Sequence, residues 1–258
     1  MPDTIVIQSH APDPPAWLQA CLGSVADWAA GAGFAHRVAG DDLLDRVPAD
    51  LRAKSHGRTQ VVADLARLDW IAELLAAGWA RVIWLDADVL LFAPDRLTAA
   101  LALPASGYLF GREVWVQPDR KGRPRARRNL HNAVLAFAPG NPVLDFYRHA
   151  AARVLGRHDG PPVPQLIGPK LLTSLDNTIG LDATWAVGMA SPLVVRDLAA
   201  GGGPALSCLQ AAAPEPPAAL NLCASLAGRE ADGVTLGERE IARAVRSLGR
   251  MSDFFVSG

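Results

Sequence analysis

The stretch Arg81-Val82-Ile83-Trp84-Leu85-Asp86-Ala87-Asp88-Val89-Leu90-Leu91-Phe92 decides how the rest of the chain is read. Residues 82–85 form an unbroken apolar run, without the polar alternation of a half-exposed strand. Such a run suits a central strand covered on both faces, as in the sheets of α/β proteins. It stops at two carboxylates one residue apart, and a second apolar run, 89–92, is halted by Ala93-Pro94-Asp95. The acidic pair is therefore expected at the C-terminal edge of a buried strand, inside a hairpin-like or bent segment.

Upstream, Thr4-Ile5-Val6-Ile7 reads as a buried first strand with a ligand-facing tip at Gln8-Ser9-His10, followed by a proline-rich turn. Trp17, Leu18, Leu22, Val25, Ala26 and Ala29 recur at helical spacing over 17–31, and Val61, Leu65, Leu68, Ala72, Leu75 and Trp79 do so over 59–79. At about 100° per residue, Asp64 falls on the edge of the second stripe with Arg67 one turn later, and a carboxylate placed there needs a partner. Further strands are expected at 108–116 and 133–138.

Alternating helices and apolar strands imply an α/β fold, a mixed, mostly parallel sheet with helices on both faces and a ligand crevice beyond the strand C-termini. One domain over 1–258 is expected, with a donor-binding half at 1–140 and a less regular acceptor-side half at 141–258. Residues 199–217, rich in Ala, Gly and Pro, read as a mobile loop or linker. A last helix is expected to start at Thr235, which has capping-box spacing to Glu238.

Half of the 258 residues are hydrophobic and a fifth are charged, which suits a packed core. The 25 basic and 26 acidic residues nearly cancel, so no overall field holds nucleic acid here. Cys21, Cys208 and Cys223 fit neither a disulfide framework nor a zinc site. No leader pattern and no apolar stretch of about 18 residues is found, so a cytoplasmic protein is expected. Arg239, Arg243, Arg246 and Arg250 line one side of the last helix, with Ile241, Val245 and Leu248 on another. That pattern fits either peripheral contact with an anionic membrane or a solvent-facing edge.

Two adjacent carboxylates disfavour joint ionisation unless something compensates them. A divalent cation does so, and oxygen ligands favour Mn²⁺ or Mg²⁺, which keep waters and add phosphate oxygens to one or two carboxylates. Such a cation on a diphosphate leaving group stabilises the charge that grows as a sugar–phosphate bond breaks. Asn132, ahead of an apolar strand, is either a sugar-hydroxyl partner or an ordinary turn residue, and its neighbour His131 is left unassigned. Gly168-Pro169-Lys170 is either a phosphate-facing turn or a plain surface turn. Residues 119–128 carry six basic side chains and one acid, a local charge of +5. They read as a solvated loop, a cover for a diphosphate, or an attractor for an anionic acceptor.

The segments Ala-Asp-Leu-Ala-Arg-Leu (63–68), the quoted acidic stretch, His-Asn-Ala-Val-Leu-Ala-Phe-Ala-Pro-Gly-Asn-Pro (131–142) and Ile-Gly-Pro-Lys-Leu-Leu-Thr (167–173) resemble those of known glycosyltransferases. The resemblance is to DxD-containing enzymes of the nucleotide-diphospho-sugar (GT-A) fold, especially glycosyltransferase family 32 and its capsular-polysaccharide relatives. It implies Mn²⁺- or Mg²⁺-dependent transfer of a hexose from a UDP- or GDP-sugar to a glycan, lipid-linked or other hydroxyl acceptor, with retention. It implies that Asp88 ligates the metal and that Asp86 meets the donor ribose or the metal through water. Asp64 and Arg67 would hold the donor sugar or diphosphate, with Gln8 near the base, Lys170 near phosphate and Asn132 in the catalytic set. The chain departs from the family in having Ala77-Gly78-Trp79-Ala80-Arg81 where a Gly-Gly pair is common, and in having no histidine after His158 to serve as a late ligand. Competing readings are a haloacid-dehalogenase-type phosphatase, a sugar nucleotidyltransferase and a non-catalytic sugar-nucleotide-binding module.

Overall fold

A computed structural model describes residues 2–250, the last by its backbone only. In chain order the first half comprises β1 (Thr4–Ser9), α1 (Ala16–Gly31), β2 (Ala35–Ala39), α2 (Ala49–Lys54), α3 (Thr59–Ala76), β3 (Arg81–Leu85), β4 (Val89–Leu91), α4 (Pro94–Ala100), β5 (Tyr108–Pro118) and β6 (Pro124–Phe137). Then follow α5 (Leu144–Arg157), α6 (Pro169–Ile179), β7 (Ala183–Thr184), β8 (Val187–Met189), α7 (Pro192–Ala200), α8 (Pro204–Ala212), β9 (Ala219–Asn221), β10 (Glu230–Ala231), β11 (Val234–Thr235) and α9 (Glu238–Arg250).

The main sheet runs β2-β1-β3-β6-β5-β7. It is mixed, as expected: β1 pairs in parallel with β2 and β3, and β5 with β7, while β6 is antiparallel to both its neighbours. Alternation along the strands explains the unbroken apolar runs. Ile5, Ile7, Val82, Trp84, Leu135 and Phe137 face α3 and α5, packing on Val61, Leu65, Leu68, Ile71 and Tyr147. Val6, Ile83, Leu85, Val134 and Ala136 face the other way, onto Val25 and Trp28 of α1 and Leu97 of α4. With helices on both faces, either parity of side chain must be apolar.

A second, three-stranded sheet, β4-β9-β8, joins Val89–Leu91 to strands from the far end of the chain. Beyond it, α7, α8 and α9 pack with Val114 and Val116 of β5 and Trp17 and Cys21 of α1 in a further apolar cluster.

Several expectations need correction. The 199–217 segment contains α8, whose Ala205, Leu206 and Leu209 are buried, so it is not a linker. Its glycines make a tight corner instead. Gly201 ends α7 in the left-handed region, and Gly203 lies against the Asp197 carboxylate, where a Cβ would fall 2.4 Å from the carboxyl carbon. Asp197 accepts hydrogen bonds from the Ala205 and Leu206 amides at 2.7 and 3.1 Å and so caps α8 from the preceding helix. Residues 119–128 are the outer end of a β5–β6 hairpin; β6 begins at Pro124, nine residues before the expected 133, because its arginines alternate along a paired strand that no apolar pattern marks. Thr235 belongs to β11, paired with Glu230, and the cap of α9 falls on Gly237, whose amide donates to Glu240 Oε2 at 3.0 Å. Finally, Ile241, Val245 and Leu248 pack inside the third cluster, so that face of α9 is covered by the protein itself; Arg239, Arg243 and Arg246 are exposed, and the Arg250 side chain lies outside the described residues. Among the described residues no helix is long and apolar enough to cross a membrane.

Candidate functional site

The acidic pair sits at the seam between the two sheets. The Asp86 amide donates to Ala133 O at 2.9 Å, continuing the β3–β6 ladder by one residue. The chain then turns, with the Val89 amide on Asp86 O at 3.1 Å and the Leu222 amide on Asp88 O at 3.0 Å, and enters the second sheet. The expected bend is thus a strand changing sheets.

Each carboxylate is held by donors from remote elements. Asp86 Oδ1 accepts from Arg67 Nη1 at 2.9 Å and from Trp84 Nε1 at 2.7 Å. Asn221 Nδ2, on β9, donates to Asp88 Oδ1 at 2.8 Å and lies 3.4 Å from Asp86 Oδ2. Asp88 Oδ2 accepts the Ala224 amide at 2.6 Å. The repulsion of the pair is therefore met in part by the protein itself, through one guanidinium, one indole, one amide side chain and one backbone N–H. Asp88 is 9% exposed, and its pKa is raised by burial first and by Asp86 second, with the Ala224 amide opposing. Asp86 is more open, its side chain 26% exposed.

Arg67 is the hub behind the pair. Besides Asp86 it meets Asp64 Oδ1 at 3.0 Å, Asn132 O at 2.8 Å and Ala63 O at 3.2 Å, and its guanidinium lies 4.7 Å from the Trp84 ring centre. Burial opposes its charge, but Asp86 and Asp64 outweigh burial and raise its pKa. Asp64, 6% exposed, also accepts from Asn132 Nδ2 at 2.8 Å. Burial pushes the Asp64 pKa from the ordinary 3.8 up to about 6, against the pull of Arg67 and Asn132. The Gly168-Pro169-Lys170 turn abuts this group: a Cβ on Gly168 would fall 2.9 Å from Asp64 Oδ2 and 3.0 Å from the Asn132 amide.

The sequence-predicted residues thus divide. Buried Asp64, Arg67 and Asn132 form one network with the more open Asp86, and Asn221 joins Asp88 to it. Asp64 Oδ1 is shared by Asn132 and Arg67, while Asp64 Oδ2 and Asn132 Oδ1 face the Gly168 backbone. Gln8 is fully buried rather than at an open tip: Nε2 donates to Asp86 O at 3.3 Å and Oε1 pairs with His36 Nε2 at 3.1 Å. Lys170 is exposed on the first turn of α6. His131 is structural, since Nδ1 accepts the Ala133 amide at 3.1 Å and Nε2 reaches Val187 O at 3.0 Å; burial lowers its pKa to about 4.

Three residues at the site escaped sequence reasoning. Asn221 is 133 residues from Asp88, beyond any spacing rule. Cys223 follows it with φ of 52°, and burial, then Asp88, Glu113 and Asp86, push its thiol pKa up. Glu113 is buried on β5 with Asn129 Nδ2 at 3.1 Å from Oε1, and burial raises its pKa from 4.5 to about 7. A lone acid inside the apolar strand Tyr-Leu-Phe-Gly-Arg-Glu-Val-Trp-Val was the available signal for it.

For a hard cation the donors at hand are Asp86 and Asp88. Asp86 Oδ2, with only the 3.4 Å approach of Asn221, has the most free lone-pair capacity. No cluster of three or more His, Cys, Asp or Glu side chains suited to a metal exists among the described residues. That donor set does not suit a closed all-protein cage. It does suit Mg²⁺ or Mn²⁺ that keeps waters and shares phosphate oxygens.

No family model matches the chain. No curated protein matches it either. Among solved structures it is similar to the crystal structure of a glycosyltransferase involved in the glycosylation of the major capsid of PBCV-1, at 10% identity over 93% of this chain and 98% of that one, with a TM-score of 0.46.

Proposed function

We propose that this chain is a metal-dependent glycosyltransferase of the GT-A type, moving a hexose from a UDP- or GDP-sugar to a glycan, lipid-linked or other hydroxyl acceptor with retention. The observation that carries the reading is Asp86 and Asp88 at the seam of the two sheets, anchored on their inner side by Arg67 and Asn221, with Asp86 left partly open. Under this reading Asp86 and Asp88 hold Mn²⁺ or Mg²⁺, which supplies charge compensation to the departing diphosphate.

The chain's own residues do the positioning. Arg67 and the Trp84 indole fix the Asp86 rotamer, while Asn221 and the Ala224 amide fix Asp88, so neither carboxylate must be reoriented when the donor arrives. Lys170, next to the turn that abuts Asp64, is available to a phosphate. In a retaining reaction the acceptor hydroxyl attacks from the leaving-group face and the diphosphate takes its proton, so no separate base is needed.

The test is incubation with Mn²⁺ and a panel of UDP- and GDP-sugars, with an ordinary phosphate ester as control, followed by proton NMR of the product. Metal-dependent release of UDP or GDP and a retained anomeric centre are expected. Preferential cleavage of the phosphate ester would overturn the transferase reading. An inverted centre would overturn retention and direct attention to Glu113 as the carboxylate base.

A further inference from the structure

We infer that the acceptor is an acidic glycan, one carrying carboxylate or phosphate groups, laid along the open face of the β5–β6 hairpin. The word acceptor rests on the glycosyltransferase reading; the binding surface rests on the hairpin alone. Strand register pairs Glu113 with Asn129, Trp115 with Arg127 and Gln117 with Arg125. Because side chains alternate across a strand, these three rows share one face.

The opposite face is filled. Val114, Val116 and Ala126 pack into the cluster with α7 and α8, and Arg128 on that face donates to Ala212 O at 3.1 Å. Trp115 and Gln117 are half-exposed on the open face, with Arg125 and Arg127 exposed beside them. Neither of those arginines has an ion pair or side-chain hydrogen bond among the described residues, whereas Arg123 is taken by Asp119 at 3.0 Å. One acid, half-buried Asp232, stands near the Trp115 indole, whose influence opposes the upward push of burial on the Asp232 pKa. Even so, residues 119–128 carry +5 in a chain of net −1, so the hairpin is where an anion is drawn.

The face leads to the site. One row further in, Gly111 pairs with His131, the residue before the Asn132 that donates to Asp64 in the site network. Rows two residues apart on a strand are separated by roughly 7 Å, so the three rows make a track of roughly 14 Å leading outward. An indole gives sugar rings a surface, the guanidinium forks suit carboxylate or phosphate, and the inner carboxylate and amide suit hydroxyls. The turn Asp119-Arg120-Lys121-Gly122-Arg123 has no apolar side chain to insert into a bilayer, which disfavours a membrane as the occupant.

The experiment measures fluorescence anisotropy of labelled hexagalacturonate and of neutral maltohexaose with the whole chain, at low and high salt. Hexagalacturonate is expected to bind, more weakly as salt rises, and maltohexaose to bind far less. Losing two exposed arginine contacts in Arg125→Ala/Arg127→Ala should weaken hexagalacturonate by roughly tenfold, and Arg125→Lys/Arg127→Lys should keep most of the affinity. Thermal melting of each variant checks its folding. Equal affinity for the neutral sugar overturns the inference, as does undiminished binding by the alanine variant. So does binding of inorganic polyphosphate or phosphatidylglycerol vesicles through these arginines in preference to hexagalacturonate. If no nucleotide sugar turns over while hexagalacturonate still binds through Arg125 and Arg127, the transferase reading fails and the glycan surface stands.

Discussion

Replacing Arg67 by Met keeps the volume of the side chain but removes the cation that faces Asp64 at 3.0 Å and Asp86 at 2.9 Å, with Arg67 and Asp64 both buried behind the site. Breaking a buried ion pair by removing one partner costs about 3–5 kcal/mol. In this molecule the cost depends on pH, because Asp64 can escape by taking a proton. With a folded pKa of about 6 against an ordinary 3.8, Asp64 already costs stability in the parent: below the lower value both states hold the proton, between the two only the folded state does, and above 6 the penalty is fully developed. Without Arg67 the folded pKa climbs further, and the extra penalty grows by about 1.4 kcal/mol for each pH unit above 6 until Asp64 ionises. Urea unfolding of parent and Arg67→Met at pH 6 and pH 8 should therefore show a deficit larger at pH 8 by up to about 3 kcal/mol, on top of the loss from the Asn132 carbonyl and the Trp84 contact. A deficit below about 1 kcal/mol at pH 8 would refute the buried-pair reasoning. One that does not change between the two pH values would refute the linkage to Asp64.

Asp88→Asn should abolish sugar transfer and weaken Mn²⁺-dependent binding of UDP or GDP by at least an order of magnitude in calorimetry, with cooperative unfolding retained; unchanged turnover would remove the central assignment. Glu113 has a folded pKa of about 7 against 4.5, so it costs stability as pH rises through that window; Glu113→Gln should flatten the stability profile between pH 5 and 8 by up to about 3 kcal/mol, read from denaturant midpoints. Asp197→Ala, which strips the Ala205 and Leu206 amides of their cap, should cost about 1–2 kcal/mol in urea unfolding without altering nucleotide binding.

The unbroken apolar runs at β1 and β3, the helical stripe of α3 and the abrupt acidic end of β3 were legible because each follows a local period or its sharp interruption. Asp64 and Arg67 were legible as a pair because they lie three residues apart on one helix face. What they contact was not. Arg67 meets Asp86 across 19 residues and Asn221 meets Asp88 across 133, and no spacing rule reaches that far. The Ala-, Gly- and Pro-rich stretch read as a linker because of its Gly-Gly-Gly and Pro-Glu-Pro-Pro runs, yet Asp197, held on the preceding helix, caps α8 and lets it fold. Likewise the basic residues before 133 carried no strand signal, since only pairing with β5 makes a strand of them. The sequence by itself determined the α/β character, the buried strands and the place of the acidic pair at a strand end, because those depend on neighbours within a few residues. Only the tertiary structure decided which donors hold that pair and which face of the hairpin stays open, because these depend on how two sheets and three late helices pack.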